Sequence, residues 1–140
     1  MLTYRPFQEN QISAITLALA SGDNPVLVPT LPTGSGNTLC LASAIIGRKH
    51  VLFVASHSLL CSQFAHMMHH IQRNTELMPS KCDLIALYDL GSKPDFIGYD
   101  LIILDQSVQA RRRLSPSAEE LAKIYIERAL ALGIKVLVMT

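Results

Sequence analysis

The chain has 140 residues, a formal net charge of +1, and a composition that is 49% hydrophobic and 16% charged. This length predicts one domain with its own core, and the near-neutral charge excludes strong global attraction to nucleic acid or to membranes. The three cysteines lack metal-finger or redox spacing, and their odd number argues against a disulfide framework. No apolar run approaches the roughly 20 residues that span a bilayer, so we expect no membrane partner.

Apolar, β-branched runs alternate with helical stretches along the chain. The patterns predict helices at 6–20, 38–46, 58–73 and 115–133, and strands at 25–30, 50–56, 83–90, 100–105 and 135–140. In the last helix, Ser115 is a favourable start and Gly133 a favourable end. This alternation predicts an α/β fold with three α/β/α layers and a mainly parallel sheet. Ligands of such sheets bind at the carboxyl ends of the strands.

The first predicted strand runs into the sequence PTGSGNT. Gly34 and Gly36 predict a turn whose N–H groups converge on one anion. A complete phosphate-binding loop also has a lysine for the β- and γ-phosphates and a Ser/Thr hydroxyl for magnesium. Thr38 supplies the hydroxyl, but Asn37 stands at the lysine position. A lysine about 4 Å from a phosphate contributes about 4 kcal/mol, so its absence predicts nucleotide binding weaker by roughly 10²–10³-fold. The alternative is an ordinary strand-to-helix turn.

A second polar group ends the strand DLIILD, where Asp105 is followed by Gln106. In phosphate-loop nucleoside triphosphatases, an Asp at this place holds magnesium, and the following Glu polarises the attacking water. Gln106 can hold a water but cannot take its proton, and the loss of a general base slows a reaction by about 10²–10⁴-fold. Asp105 is therefore predicted to be able to hold magnesium, while the neighbouring Gln106 cannot act as the general base. The alternative is a core strand that ends in a solvated Asp.

In their order, these segments resemble the first motor domain of superfamily 2 helicases and translocases, in particular type III restriction motors and the excision-repair helicase. YRPFQENQISAI resembles the adenine-reading segment, with Gln8 at the glutamine position, and LPTGSGNT resembles the motif that ends in Gly-Lys-Thr. VLFVASHSLLCSQF resembles the motif that holds the nucleic-acid backbone, with Ser56, His57 and Ser58 at the strand end. YDLIILDQSV resembles the Asp-Glu-Ala-His box, and KVLVMT the strand entering the Ser/Thr-Ala-Thr motif.

The resemblance implies one RecA-like domain with a P-loop fold over residues 1–140, without a second motor domain. Magnesium would be held by Thr38 and Asp105, and only when nucleotide binds. The departures fall at catalytic positions, namely Asn37, Gln106 and the last two box positions, so we expect no intact catalytic residue and no hydrolysis. No cofactor is certain, and ATP with magnesium would bind weakly. The implied nucleotide site consists of Gln8, Thr33, Gly34, Ser35, Gly36, Asn37, Thr38 and Asp105.

Two further groups of residues are candidates for binding. QARRRLS contains the longest basic run, and the resemblance places Arg111, Arg112 and Arg113 near the motor face, where they would grip phosphates or an acidic partner. The alternative is a solvated loop ahead of a helix. HMMHH puts His66 and His70 four residues apart on one helix, a spacing suited to a metal. No carboxylate or cysteine cluster completes that set, and the alternative is a polar helix face.

Three functions agree with these patterns. The first is a degenerate helicase-like domain that binds a protein or nucleic-acid complex, DNA rather than RNA, as a decoy or regulator from a virus or mobile element. The second is the N-terminal ATP-binding domain of a larger superfamily 2 DNA helicase or translocase, and the third is a nucleotide sensor without turnover. The apolar composition is compatible with self-association. Reduced thiols and the lack of a signal-peptide pattern predict a cytoplasmic protein, or a nuclear one in a eukaryotic or viral host.

Overall fold

The computed structural model describes residues 3–32, 35–55, 58–74, 81–86, 98–105 and 116–140. Within these ranges the helices are α1 (Pro6–Ala20), α2 (Asn37–Ile45), α3 (Ser58–Arg73) and α4 (Pro116–Ala131). The strands are β1 (Val26–Val28), β2 (His50–Ala55), β3 (Lys81–Ala86), β4 (Leu101–Asp105) and β5 (Lys135–Met139). None of the helices described here is long and apolar enough to cross a lipid bilayer.

The five strands form one parallel sheet in the order β1-β5-β4-β2-β3. Between β1 and β2 the chain passes over two sheet positions that β5 and β4 fill later. The central strands β5, β4 and β2 are almost continuously apolar because both of their faces are buried. The prediction of an α/β fold with a parallel sheet is confirmed.

Alternate residues of the central strands enter two separate cores. One core joins the sheet to α1, α2 and α3 and includes Phe53 and Ile103, with the ring of Phe53 stacked on Phe64 of α3 at 4.1 Å. The other core joins the opposite face to α4 and includes Leu52 and Ile102. We call these the α1–α3 face and the α4 face. The fold thus has three α/β/α layers, which is compatible with a RecA-like domain.

Most predicted bounds are close to those of the structure. The bounds of α1 and α3 are confirmed, and α2 is one residue earlier at each end than predicted. β1 is shorter than the predicted 25–30, although Thr30 still donates its N–H to Thr140 O just beyond the strand. β3 begins at Lys81, two residues before the predicted start, and the predicted positions 87–90 lie outside the described residues.

The end of α4 has the geometry that its glycine predicted. Gly133 has a φ of +75°, its N–H donates to Leu130 O at 3.0 Å, and the N–H of Ile134 donates to Ala129 O at 3.1 Å. These two bonds satisfy carbonyls that a helix end leaves unpaired and make a Schellman motif. The predicted start at Ser115 lies outside the described residues.

Candidate functional site

The sheet brings the loop after β1 and the end of β4 to the same edge. Val28 of β1 and Asp105 of β4 are both in register with Met139 of β5, so one strand separates them. Two strand spacings put their Cα atoms about 10 Å apart. Because residues two apart share a face, Asp105 lies on the α1–α3 face with Ile103, and Val28 lies on that face too. The half-buried Asp105 and the start of the loop therefore lie at the same end of the sheet and toward the same face.

Asn37, the residue at the expected lysine position, turns its side chain back onto the loop. Its Oδ1 accepts the N–H of Leu31 at 2.6 Å, and its Nδ2 donates to Leu31 O at 2.8 Å. Both polar groups of one main-chain residue are thus paired by one side-chain amide, an arrangement that we call the Asn37 bridge. A lysine ammonium has donors and no acceptor, so it could not satisfy the Leu31 N–H.

A second main-chain N–H of the described loop residues also points inward. The N–H of Ser35 donates to Pro32 O at 3.1 Å, the N–H of Leu31 is held by the Asn37 bridge, and Pro32 has no N–H. None of these three residues directs an N–H toward an outside anion in this conformation, whereas a phosphate cradle requires several. The predicted site residues Thr33 and Gly34 lie outside the described residues.

Gln8, the predicted adenine reader, contacts the chain with both ends of its amide. Its Oε1 accepts the N–H of Arg5 at 3.0 Å, at the start of α1. Its Nε2 donates to Ser35 O at 3.1 Å and so ties α1 to the loop. In this conformation Gln8 supports the loop, and reading a base edge would require these contacts to be shared or broken.

Gly36 is required where α2 begins for two separate reasons. Its φ of +85° is a left-handed conformation that side chains disfavour, and a Cβ there would lie 2.7 Å from Nε2 of Gln8. Gly36 O accepts the N–H of Cys40, and no side chain caps the helix. Thr38, the predicted magnesium ligand, lies in the first turn of α2.

Further contacts fix the helices around the loop. The hydroxyls of Tyr4 and Ser43 are 2.9 Å apart, which ties the segment before α1 to α2, and the Cys40 thiol of α2 donates to Gln8 O of α1 at 3.8 Å. Burial raises the pKa of the Cys40 thiol, which keeps that thiol protonated. Gln11 is buried and donates from Nε2 to Pro29 O at 2.8 Å.

Sequence reasoning missed the contributions of Tyr4 and Gln11. A signal for Gln11 was available, because it lies at helical spacing from Ile15 on the buried side of α1. A buried amide there needs a hydrogen-bond partner, and the main chain before the loop supplies it.

The remaining predicted residues fall mostly elsewhere. Gln106, Ser56, His57 and the basic run Arg111 to Arg113 lie outside the described residues, and Ser58 opens α3. His66, His69 and His70 are all exposed on α3. In the described ranges, no three or more His, Cys, Asp and Glu residues come together where they could hold a metal.

The sequence was compared with family models and with curated proteins. No family model matches the chain, and a search of curated proteins finds no match.

Proposed function

We propose that this chain is a helicase-like domain that does not hydrolyse nucleotide and acts by binding. Its target is a protein or nucleic-acid complex, with DNA rather than RNA as the nucleic acid. The observation that carries the proposal is the Asn37 bridge. The residue that would place a cation beside the phosphates instead pairs with the main chain of its own loop.

The bridge opposes nucleotide binding in two ways. Its neutral amide stands where a lysine ammonium would be, and this removes about 4 kcal/mol of attraction between that ammonium and a phosphate about 4 Å away. It also holds the N–H of Leu31 inside the loop, while Ser35 is held by Pro32. A phosphate would have to break these two bonds before the N–H groups of Leu31 and Ser35 could turn toward it.

The frame around the loop supports the helicase-like part of the proposal. The loop after β1 and Asp105 at the end of β4 lie at one edge and toward one face, with β5 between the two strands. This is the arrangement in which a phosphate loop and a magnesium carboxylate would act together. This placement supports the proposal together with two sequence features, a neutral Asn37 at the expected cation position and Gln106 at the expected base position.

A nucleotide sensor without turnover is the second candidate. Thr38 lies in the first turn of α2, where unpaired N–H groups and the helix dipole favour an anion, and Asp105 lies on the same side of the sheet. A sensor would require that ATP with magnesium opens the loop. Binding without hydrolysis distinguishes it from the first candidate.

Titration with nucleotide tests the proposal directly. We expect ATP with magnesium to give no calorimetric heat and no shift in melting temperature at millimolar concentration, because residue 37 is uncharged and the N–H groups of Leu31 and Ser35 are already paired. The same protein is titrated into labelled DNA and RNA of equal length at low and moderate salt. We expect binding to DNA in preference to RNA, and binding that weakens as salt rises.

Two outcomes would contradict this proposal, and a third would narrow it. Magnesium-dependent ATP hydrolysis at the rate of an intact motor ends it outright. A saturable melting-temperature shift with ATP, without hydrolysis, favours the sensor. A lack of nucleic-acid binding together with silent nucleotide titrations leaves a protein partner as the target and removes the nucleic-acid part.

A further inference from the structure

The outward side of α3 carries three histidines that the proposed function does not use. His66, His69 and His70 are exposed, whereas Phe64 and Ile71 of the same helix are buried in the core of the α1–α3 face. The buried residues fix the rotation of the helix about its axis. The three imidazoles therefore face solvent together.

His66 and His70 are about one helical turn apart, so their side chains are neighbours on the surface of α3. At 3.6 residues per turn, residues four apart diverge by about 40° around the axis and residues three apart by about 60°. The pair of His66 and His70 is therefore better aligned than the pair of His66 and His69. The turn that holds His70 is closed by Asn74, whose Nδ2 donates to His70 O at 2.8 Å.

The imidazoles of His66 and His70 have no hydrogen-bond or ion-pair partner in the part of the chain that the structure describes. The imidazole of His50 differs, because its ring nitrogens lie 3.1 Å from Gly98 O and 3.1 Å from Oδ2 of Asp83. A metal ion binds the lone pair of a neutral imidazole. The exposed pair on α3 is thus available for coordination, while His50 is already engaged.

We propose that His66 and His70 form a surface site for a divalent cation of the late first transition series. Each imidazole supplies one nitrogen. The described ranges bring no third His, Cys, Asp or Glu to the pair, so water fills the remaining positions around the cation. Imidazole suits Zn²⁺, Ni²⁺ and Cu²⁺, whereas Mg²⁺ and Ca²⁺ prefer oxygen ligands. Two ligands on successive turns also cross-link that part of α3.

The charges on α3 indicate how tightly the cation is held. The helix contains no Asp or Glu, and Arg73 lies seven residues from His66, on the same stripe of the surface. Arg73 is exposed, so solvent screens its repulsion of the cation. The site therefore depends on coordination bonds rather than on charge attraction, and its affinity is modest.

The thiols of the chain are poor competitors for the cation. Cys40 and Cys61 are buried. Burial, and then the nearby Asp83 carboxylate and Cys61 thiol, raise the pKa of the Cys82 thiol to about 12, so Cys82 is protonated near neutral pH. The thiolate is the form that binds metals. The histidine pair should therefore fill first.

Calorimetric titration with zinc chloride tests the site. In the unaltered chain at about pH 7.5, where imidazole is mostly neutral, we expect saturable binding with a Kd below about 1 mM. Magnesium chloride at the same concentrations should give no binding. His66→Ala and His70→Ala should each weaken zinc binding roughly ten-fold or more, because a single remaining imidazole cannot chelate the cation. Both positions are exposed, so alanine should leave the fold intact.

His69→Ala is the matched control, since it removes an equally exposed imidazole from the same helix. We expect its zinc affinity to stay within about two-fold of that of the unaltered chain. In NMR spectra, the imidazole signals of His66 and His70 should change together and saturate, ahead of those of His69 and His50. Absence of saturable zinc binding below about 1 mM would overturn the proposal. Equal loss of affinity in His69→Ala and His70→Ala would also overturn it, by showing adventitious binding to any exposed histidine.

Discussion

At the scale of single residues, two asparagine side chains each pair with a main-chain N–H and a main-chain carbonyl, as a peptide group would. Asn37 pairs with both polar groups of Leu31, and Asn24 donates to Ile134 O at 2.7 Å while accepting the N–H of Val136 at 2.8 Å. A primary amide can do this because it carries a donor and an acceptor side by side, as a peptide group does. An amide at position 37 can therefore pair with both main-chain groups, which the ammonium of a lysine could not do.

Removal of the Asn37 amide should destabilise the fold. Asn37→Ala leaves the partly buried N–H and carbonyl of Leu31 without their partner, and we expect a loss of about 1–2 kcal/mol in the free energy of unfolding, measured by urea titration. Asn37→Asp is the matched comparison, because it keeps the acceptor for the Leu31 N–H and places a negative charge at the positive end of α2. Its loss should be smaller, because one of the two hydrogen bonds is kept, and a negligible loss for Asn37→Ala would mean that the bridge contributes nothing to stability.

At the scale of elements, β1 is protected against strand addition. Val28 O accepts the N–H of Thr140 and the N–H of Thr30 donates to Thr140 O, so these alternate residues bond toward β5. The intervening residues Pro25, Leu27 and Pro29 direct their main-chain groups away from β5, to the outer edge. Two of these, Pro25 and Pro29, have no N–H, so Leu27 offers the one outward donor between them. Proline is a common device against edge-to-edge association, and self-association through β1 is therefore disfavoured.

The Schellman end of α4 provides a clean test of backbone strain. Neither Gly133 nor Gly22 has an atom within 4 Å of where a Cβ would lie, but only Gly133 has a positive φ, +75°. We expect Gly133→Ala to lower the free energy of unfolding by about 1 kcal/mol through the left-handed conformation alone. Gly22→Ala is the control and should be neutral or slightly stabilising. Similar effects at both positions, in the same urea titration, would contradict this explanation.

At the scale of the whole molecule, local patterns predicted the layers, while long-range contacts determined the site. Continuous apolar runs were sufficient to predict β2, β4 and β5, because strands that are buried on both faces need such runs. The absence of a lysine at residue 37 was visible in the sequence, but the pairing of Asn37 with the main chain of Leu31 was not. The cluster of His50 with Asp83 was not predictable, because its members are separated by 33 positions and meet only through the sheet register.

The alkaline stability of the whole domain should depend on Cys82, which lies in the edge strand β3. Burial, and then the nearby Asp83 carboxylate and Cys61 thiol, raise the pKa of the Cys82 thiol from 9.0 to about 12. Below pH 9 the thiol is protonated in both the folded and the unfolded chain, so it adds no pH dependence. Between these two values only the folded chain keeps the proton, so stability must fall as pH rises. Both chains should lose free energy of unfolding between about pH 8 and pH 11. After allowance for partial exposure, we expect the loss to be about 1–2 kcal/mol smaller for Cys82→Ala than for the unaltered chain. Urea titrations at both pH values, under reducing conditions, measure this difference, and equal losses would show that Cys82 ionises in the folded chain as readily as in the unfolded one.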